Sequence, residues 1–186
     1  MIAEATEPRV YTVDEYLDLE KQSEVKHEFV DGTLVEMAGE SLIANEIAVN
    51  LVVLLKTALR GQPYKTYFQD VKLQTKPGGR YRYPDVMVRS ATGKADSHTV
   101  YQAILTAEIT SENSAGVDHD DKLHEYISLP SVECYLIVSQ TEPLVEVYQR
   151  MGTKWEYAFY ANLTDTFDIA SLDVTLRVGD IYEGVF

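Results

Sequence analysis

The sequence predicts an α/β (α+β) fold: a mixed β-sheet flanked by helices, preceded by an N-terminal helix and hairpin and followed by a C-terminal β-meander. Three observations point there. Apolar residues make up 45% of the 186 residues and charged residues 25%, ordinary proportions for a chain that buries a core. The hydrophobic period switches between helical and extended along the chain. Helical and extended segments also alternate without an internal repeat, a low-complexity tract or a linker, so residues 1–186 are expected to form one domain.

From the N-terminus, residues 12–23 are expected to be a short helix. Thr12 and Glu15 stand at capping-box spacing, and Val13, Tyr16, Leu17 and Leu19 supply an apolar stripe. Glu28-Phe29-Val30, Asp31-Gly32 and Thr33 to Met37 then read as a hairpin, because Gly accepts positive φ in a tight turn without steric cost. The long helix is expected over 41–60, capped by Ser41, striped by Ile43, Ile47, Leu51, Leu54 and Leu55, and followed by Gly61. There the period falls to two. Residues 64–75 and 81–89 are expected to be two strands around the Pro77-Gly78-Gly79 turn, and 101–110 a third, ending in polar residues. Residues 118–129 read as a helix stopped by Pro130, and 133–139 as a buried strand. Residues 144–150 and 154–160 form the meander around Met151-Gly152-Thr153, and the tail is short strand and turn.

Composition excludes several classes. No apolar run reaches the roughly 18–20 residues that span a bilayer, and residues 1–10 lack the pattern of a signal peptide. The expected compartment is the cytoplasm. Cys134 is the single cysteine, which rules out an internal disulfide, and its apolar surroundings mark it as an inert core thiol. The net charge is −14, from sixteen Lys+Arg and thirty Asp+Glu. Its distribution is uneven. Residues 56–94 hold nine cations (Lys56, Arg60, Lys65, Lys72, Lys76, Arg80, Arg82, Arg89 and Lys94) against Asp70 and Asp85, a local +7 that leaves −21 for the rest. Two readings of this segment stand: ion pairing with acidic neighbours, or an approach surface for a polyanion. Tyr67, Phe68, Tyr81 and Tyr83 interleave with these cations and are candidates for stacking on bases or sugars.

No phosphate-binding glycine loop, His-Glu-x-x-His or Gly-x-Ser-x-Gly is present, and His27, His98, His119 and His124 show no ligand spacing. What remains is a pair of carboxylates. Asp85 interrupts the apolar run Tyr83-Pro84-Asp85-Val86-Met87-Val88, and Glu108 lies near the end of the next strand. An acid in an apolar strand is costly to bury unless it is paired or bound to a metal. Two carboxylates and a backbone carbonyl suit a hard cation such as Mg²⁺. Lys122, early in the following helix, can approach the same end of the sheet, although Asp118 four residues earlier also offers an ordinary surface pair. Glu28 is either a further acid reaching in from the hairpin or a solvated strand residue. Asp118 and Tyr126 flank Lys122 on its helical face and read as positioning or packing residues.

Pro84-Asp85, an interval of 22 residues, Glu108, and then Asp118-x-x-x-Lys122-x-x-x-Tyr126 resemble the PD-(D/E)xK nuclease superfamily. More narrowly, they resemble a bacterial, cyanobacteria-rich branch of restriction endonuclease-like proteins of unknown substrate. The stretch from His27 to Ala38 is similar to that branch's opening hairpin, and Arg82-Tyr83-Pro84-Asp85-Val86 to its metal strand. Glu108-Ile109-Thr110-Ser111-Glu112-Asn113-Ser114 resembles its glutamate strand, and Leu129-Pro130-Ser131-Val132-Glu133-Cys134-Tyr135 its return from helix to strand. The likeness runs from about Tyr11 to Glu183. There are two departures: Thr110 stands where the simplest motif has lysine, a role the branch moves onto the next helix at the position of Lys122, and Ala44 stands in a region where many relatives carry histidine.

The resemblance implies a restriction endonuclease-like core and a Mg²⁺-dependent endonuclease acting on nucleic acid, DNA above RNA, with Mn²⁺ as substitute. Asp85, Glu108 and the carbonyl of Ile109 would hold the metal. Lys122 would orient water and stabilise charge, Glu28 would complete the acidic site, and the basic 56–94 segment would draw in the phosphate backbone. The alternative is a non-catalytic module on the same fold that binds nucleic acid or protein. A homodimer is also in view, resting on strand edges in the 144–160 meander.

Overall fold

The computed structural model describes residues 9–110 and 117–186, the side chains of 117–120 excepted. Helix α1 (Val13–Glu20) begins as the sequence dictates: the Thr12 hydroxyl accepts from the Glu15 amide, and the Glu15 carboxylate accepts from the Thr12 amide at 2.8 Å. Strands β1 (His27–Val30) and β2 (Thr33–Glu36) follow as an antiparallel hairpin. At its tip Asp31 and Gly32 both take positive φ, 46° and 99°, the combination that matches the right-handed twist of the strands. Helix α2 (Leu42–Ala58) is capped by Ser41, whose hydroxyl accepts from the Ala44 amide, and it buries Ala44, Ile47, Ala48, Leu51 and Leu55 along one stripe.

The next segment departs from the two expected strands. Residues 64–75 divide into β3 (Tyr64–Phe68) and β4 (Lys72–Lys76); residues 81–89 divide into β5 (Arg80–Arg82) and β6 (Val86–Ser90). Both breaks have local causes. Gln69 and Asp70 take positive φ, 44° and 29°, and Pro84 has no amide hydrogen to give a ladder. The breaks face each other, with the Gln69 amide donating to the Asp85 carbonyl at 3.1 Å. One long hairpin is thereby shared between two sheets, and Asp85 lies at the seam. The expected strand over 101–110 also shortens, because residues 101–104 cross between sheets, from β7 (Thr99–Val100) to β8 (Leu105–Thr110).

Helix α3 (Val117–Ser128) connects β8 to its parallel neighbour β9 (Cys134–Ser139). The meander forms as β10 (Val145–Met151) and β11 (Lys154–Tyr160), and the tail supplies β12 (Thr166–Ile169), β13 (Val174–Arg177) and α4 (Val178–Ile181). The large sheet runs β11-β10-β9-β8-β6-β3 and the second β2-β1-β5-β4-β7, with β12-β13 as a separate pair.

One face of the large sheet carries Val86, Val88, Leu105, Ala107, Leu136, Val138, Val145 and Val147, and packs under α2 and the tail. The other face packs Met87, Tyr135 and Ile137 against Tyr126 of α3 and Leu73 of the second sheet. Helix α1 covers the outside of the second sheet, Tyr16 stacking on Phe29 with ring centroids 4.9 Å apart. Among the described residues no helix is long and apolar enough to cross a membrane.

Candidate active site

Strand alternation decides which residues share a wall. On β8, Leu105, Ala107 and Ile109 face α2, so Glu108 takes the opposite side, and on β6 Met87 faces that side too. Val86 pairs with Ala107 in antiparallel register, so Asp85, one residue earlier, stands across from Glu108. Helix α3 lies over this face and brings Lys122 and Tyr126, one turn apart, above Glu108. Strand β1 contributes Glu28 from the second sheet, alternating with Phe29, which packs under α1.

The four predicted residues come together. The Lys122 ammonium lies 3.2 Å from Glu108 Oε2 and 3.2 Å from Glu28 Oε1, the latter contact lacking hydrogen-bond alignment. Tyr126 donates its hydroxyl to Glu108 Oε1 at 2.6 Å, and the Ile109 amide donates to Asp85 Oδ2 at 2.6 Å. All three carboxylates are buried. They line a cavity of about 540 Å³ together with Ile109, Thr110, Lys122 and Tyr135. A second cavity of about 430 Å³ shares Met37 to Glu40, Tyr83 and Asp85 with it. Asp85 is thus reached from two sides.

Burial, with the Glu108 charge adding to it, pushes the Asp85 carboxyl well above the usual range, against the pull of the Ile109 amide and Lys122. Burial likewise raises Glu108, opposed by Lys122 and Tyr126. For Lys122, burial alone would lower the ammonium, but Glu108, Glu28 and Asp85 outweigh it and hold the proton firmly. Lys122 is therefore a fixed positive charge rather than a proton carrier.

Behind these groups runs a charge relay that sequence reading did not find. Arg82, buried on β5, donates to Glu28 Oε2 at 2.6 Å and grips Glu125 with its Nε and Nη2 at 3.0 and 2.5 Å. Glu125 also accepts from Arg80 and Thr75, and Arg80 pairs with Asp31 at the hairpin tip. The one available signal was Glu125 standing three residues after Lys122, on a shared helical face. A second network ties α1 to the site: Glu20 accepts from the His27 amide at 3.0 Å and from the Tyr83 hydroxyl at 2.6 Å.

The basic segment is largely absorbed by such contacts. Lys76, Arg80 and Arg82 are ion-paired, Lys72 is buried against the Tyr83 ring, and Arg89 donates to the carbonyls of Ser90, Ala91 and Gly93. Lys56, Arg60, Lys65 and Lys94 stay exposed. Of the aromatic candidates, Tyr81 and Tyr83 are buried, Tyr67 is half-buried and Phe68 is exposed. Ala44 faces the core rather than the cavity; at the same helix end Ser41 donates to Gln140 at 2.5 Å, and both line the cavity. Ser111 to Ser114 and the Asp118 side chain lie outside the described residues.

Among the described residues no group of three or more His, Cys, Asp or Glu has metal-holding geometry. Two carboxylates do face each other across paired strands, each made costly by burial and, for Asp85, by the other's charge. Such an oxygen pair fits a hard divalent cation, since Mg²⁺ commonly takes one or two carboxylates and keeps several waters.

Comparison with known proteins bears on this arrangement. Residues 13–179 match the model of the Uma2 family, whose description reads "Putative restriction endonuclease". The chain is 32% identical over 149 residues to the uncharacterized protein sll1609 of Synechocystis sp., covering 78% of this chain and 84% of that one. It is 27% identical over 174 residues to slr1290 of the same organism, covering 92% and 91%. The crystal structure of "a putative nuclease belonging to DUF820" from Anabaena variabilis covers 95% of this chain and 99% of its own, with a TM-score of 0.75 and 16% identity. At that identity the likeness is one of fold. The mixed sheets and their helices are a nuclease-like architecture, and the chain belongs to the Uma2 family of restriction endonuclease-like proteins.

Proposed function

We propose that the protein is a Mg²⁺-dependent nuclease that hydrolyses phosphodiester bonds in DNA. The observation that carries the reading is the pairing of Asp85 with Glu108 on one wall of an open cavity, with a protonated Lys122 against Glu108. Asp85 and Glu108, with the carbonyl of Ile109, would hold the cation, for which Mn²⁺ substitutes. When bound, the cation supplies Lewis acidity toward a phosphoryl oxygen and lowers the pKa of a coordinated water.

The protein's own groups then have separate tasks. Asp85 presents one oxygen to the cavity, because its Oδ2 is anchored on the Ile109 amide. Tyr126 fixes the Glu108 carboxylate through Oε1. Lys122, held as an ammonium, would face the negative charge that grows on the phosphoryl oxygens as water adds, the water's proton passing to solvent, and as the P–O bond breaks to an alkoxide that takes a proton from solvent. Glu28 orients Lys122, and Arg82 holds Glu28. The exposed cations Lys56, Arg60, Lys65 and Lys94 do not line the cavity, Lys56 and Arg60 standing at the opposite end of α2 from Ser41, so they would draw a polyanion at long range rather than guide it into the site.

The test is cleavage of supercoiled and linear DNA in Mg²⁺ or Mn²⁺, paired with calorimetric titration of Mn²⁺ alone. Asp85→Asn and Glu108→Gln are each expected to abolish cleavage and Mn²⁺ binding while the folded spectrum is kept. Mn²⁺ heat without cleavage of DNA or RNA would move the reading to the non-catalytic binding module. Cleavage that survives both substitutions would refute the site.

A further inference from the structure

Strand β11 closes the large sheet, and its outer edge has no neighbour among the described residues. It is seven residues long, and it is unusually apolar for an edge. Tyr157 pairs with Tyr148, and Tyr148 with Tyr135, so the three rings lie in one row across the sheet on the side that carries Glu108. Neighbouring centroids are 4.8 and 6.1 Å apart, and Tyr135 meets Tyr126 at 5.1 Å. Trp155 and Phe159 take the same side as Tyr157. Tyr157 and Phe159 are 53% and 62% exposed, an aromatic surface that α3 does not reach.

Sheet geometry restricts what can cover this edge. A second copy adding its own β11 in antiparallel fashion is related by a two-fold axis normal to the sheet, so a residue i faces a residue j of the other copy with i + j even. Centring the axis on Tyr157 pairs all seven residues, Lys154 through Tyr160. It sets Trp155 opposite Phe159 and Tyr157 opposite itself, three aromatic pairs on one face. On the other face Glu156 meets Ala158 and Lys154 meets Tyr160, so no like charges are opposed. Centring on Glu156 instead would set two carboxylates against each other and leave part of the strand unpaired. Centring on Ala158 opposes no like charges either but leaves Lys154 and Trp155 unpaired within the strand, so the register about Tyr157 is the one that uses all of β11.

We infer that β11 is a homodimer interface, two copies joining their large sheets edge to edge about Tyr157. The axis keeps both carboxylate cavities on one side of a continuous twelve-stranded sheet. The two β8 strands are separated by seven strand spacings, roughly 34 Å at ~4.8 Å each. The inference stands apart from the nuclease reading, since it rests on an edge three strands away from Glu108.

Sedimentation of the full chain over a concentration series tests it. The wild type is expected at twice its 21.0 kDa mass, and Tyr157→Arg, which sets two guanidinium groups face to face, at half the wild-type value with an unchanged folded spectrum. Tyr157→Cys supplies an independent reading. Directly opposed residues in antiparallel strands lie about 4.5–5.5 Å apart at Cα, within disulfide reach, and the native Cys134 is buried. Mild oxidation is expected to give a covalent dimer from Tyr157→Cys and none from Leu163→Cys. A wild type that stays monomeric at every concentration overturns the inference, as does a dimer that survives Tyr157→Arg and fails to cross-link through Tyr157→Cys. Binding of oligonucleotide to the aromatic face of a monomer would be a refutation of the same kind.

Discussion

The two faces of the large sheet use the same strands to opposite ends. Under α2, alternate residues of β6, β8 and β9 are all apolar, and α2 and the tail seal them. One residue along each strand, the other face carries Asp85 and Glu108 beside Met87 and Tyr135, and it is covered only in part, by α3 and the second sheet. The sealed face holds the fold by close packing. The open face also packs Met87, Tyr126, Tyr135 and Ile137, but the carboxylates buried beside them are tolerated only because they are paired.

The sharpest way to break the open face is to remove Arg82, which joins Glu28 to Glu125. Arg82→Ala takes its closest cation from Glu28 and its two-pronged one from Glu125, leaving Lys122, Arg80 and Thr75 as their remaining partners, and is expected to cost about 3 kcal/mol, the low end for breaking a buried pair, read by urea denaturation. On the sealed face Leu51→Ala opens a cavity, with an expected loss of ~2–4 kcal/mol and an unaltered Mn²⁺ affinity. If Arg82→Ala proved no more harmful than an exposed substitution, the relay would be ornamental. Smaller is the effect of Tyr126→Phe, which strands one oxygen of Glu108 at a cost of about 1–3 kcal/mol and should weaken Mn²⁺ binding as well.

The faintest signal is in pH. Asp85 and Glu108 bind protons more tightly in the folded protein than in the unfolded chain, so without metal the native state holds more protons above the ordinary carboxylate range. Stability should therefore fall as pH rises from that range through the raised values, the reverse of the usual carboxylate trend. Asp85→Asn should flatten part of this slope, and saturating Mg²⁺ should flatten it too while raising the melting temperature. A slope untouched by either change would show that the two acids are not strained by burial.

The regular elements were legible because their causes are local. Thr12 and Ser41 cap helices through hydroxyls that reach amides three residues away, and Asp31-Gly32 turns a hairpin through its own dihedral angles. The division of 64–90 between two sheets was not legible. The positive φ at Gln69 and Asp70 that makes the break carries no sequence signal such as glycine, and only the pairing of β3 with β6 and of β4 with β5 and β7 shows what it serves. The burial of Tyr81 and Tyr83, two of the stacking candidates, was not legible for a similar reason: Tyr16 and Glu20, which contact them, come from α1, more than sixty residues earlier.

The chain by itself pointed to the acids as candidates, since a carboxylate interrupting an apolar strand is expensive to bury wherever that strand lies, and its resemblance to a nuclease family added the lysine. Tertiary structure alone decided their company. Which cation neutralises which acid depends on residues from β1, β5 and α3 meeting within about 3 Å, an encounter between elements far apart in the chain that its local pattern does not specify. So it was for the folded chain to bury Lys72 and Arg82, to pair Lys76 and Arg80 with acids, to set Glu125 behind Arg82, and to leave β11 as an aromatic edge outside.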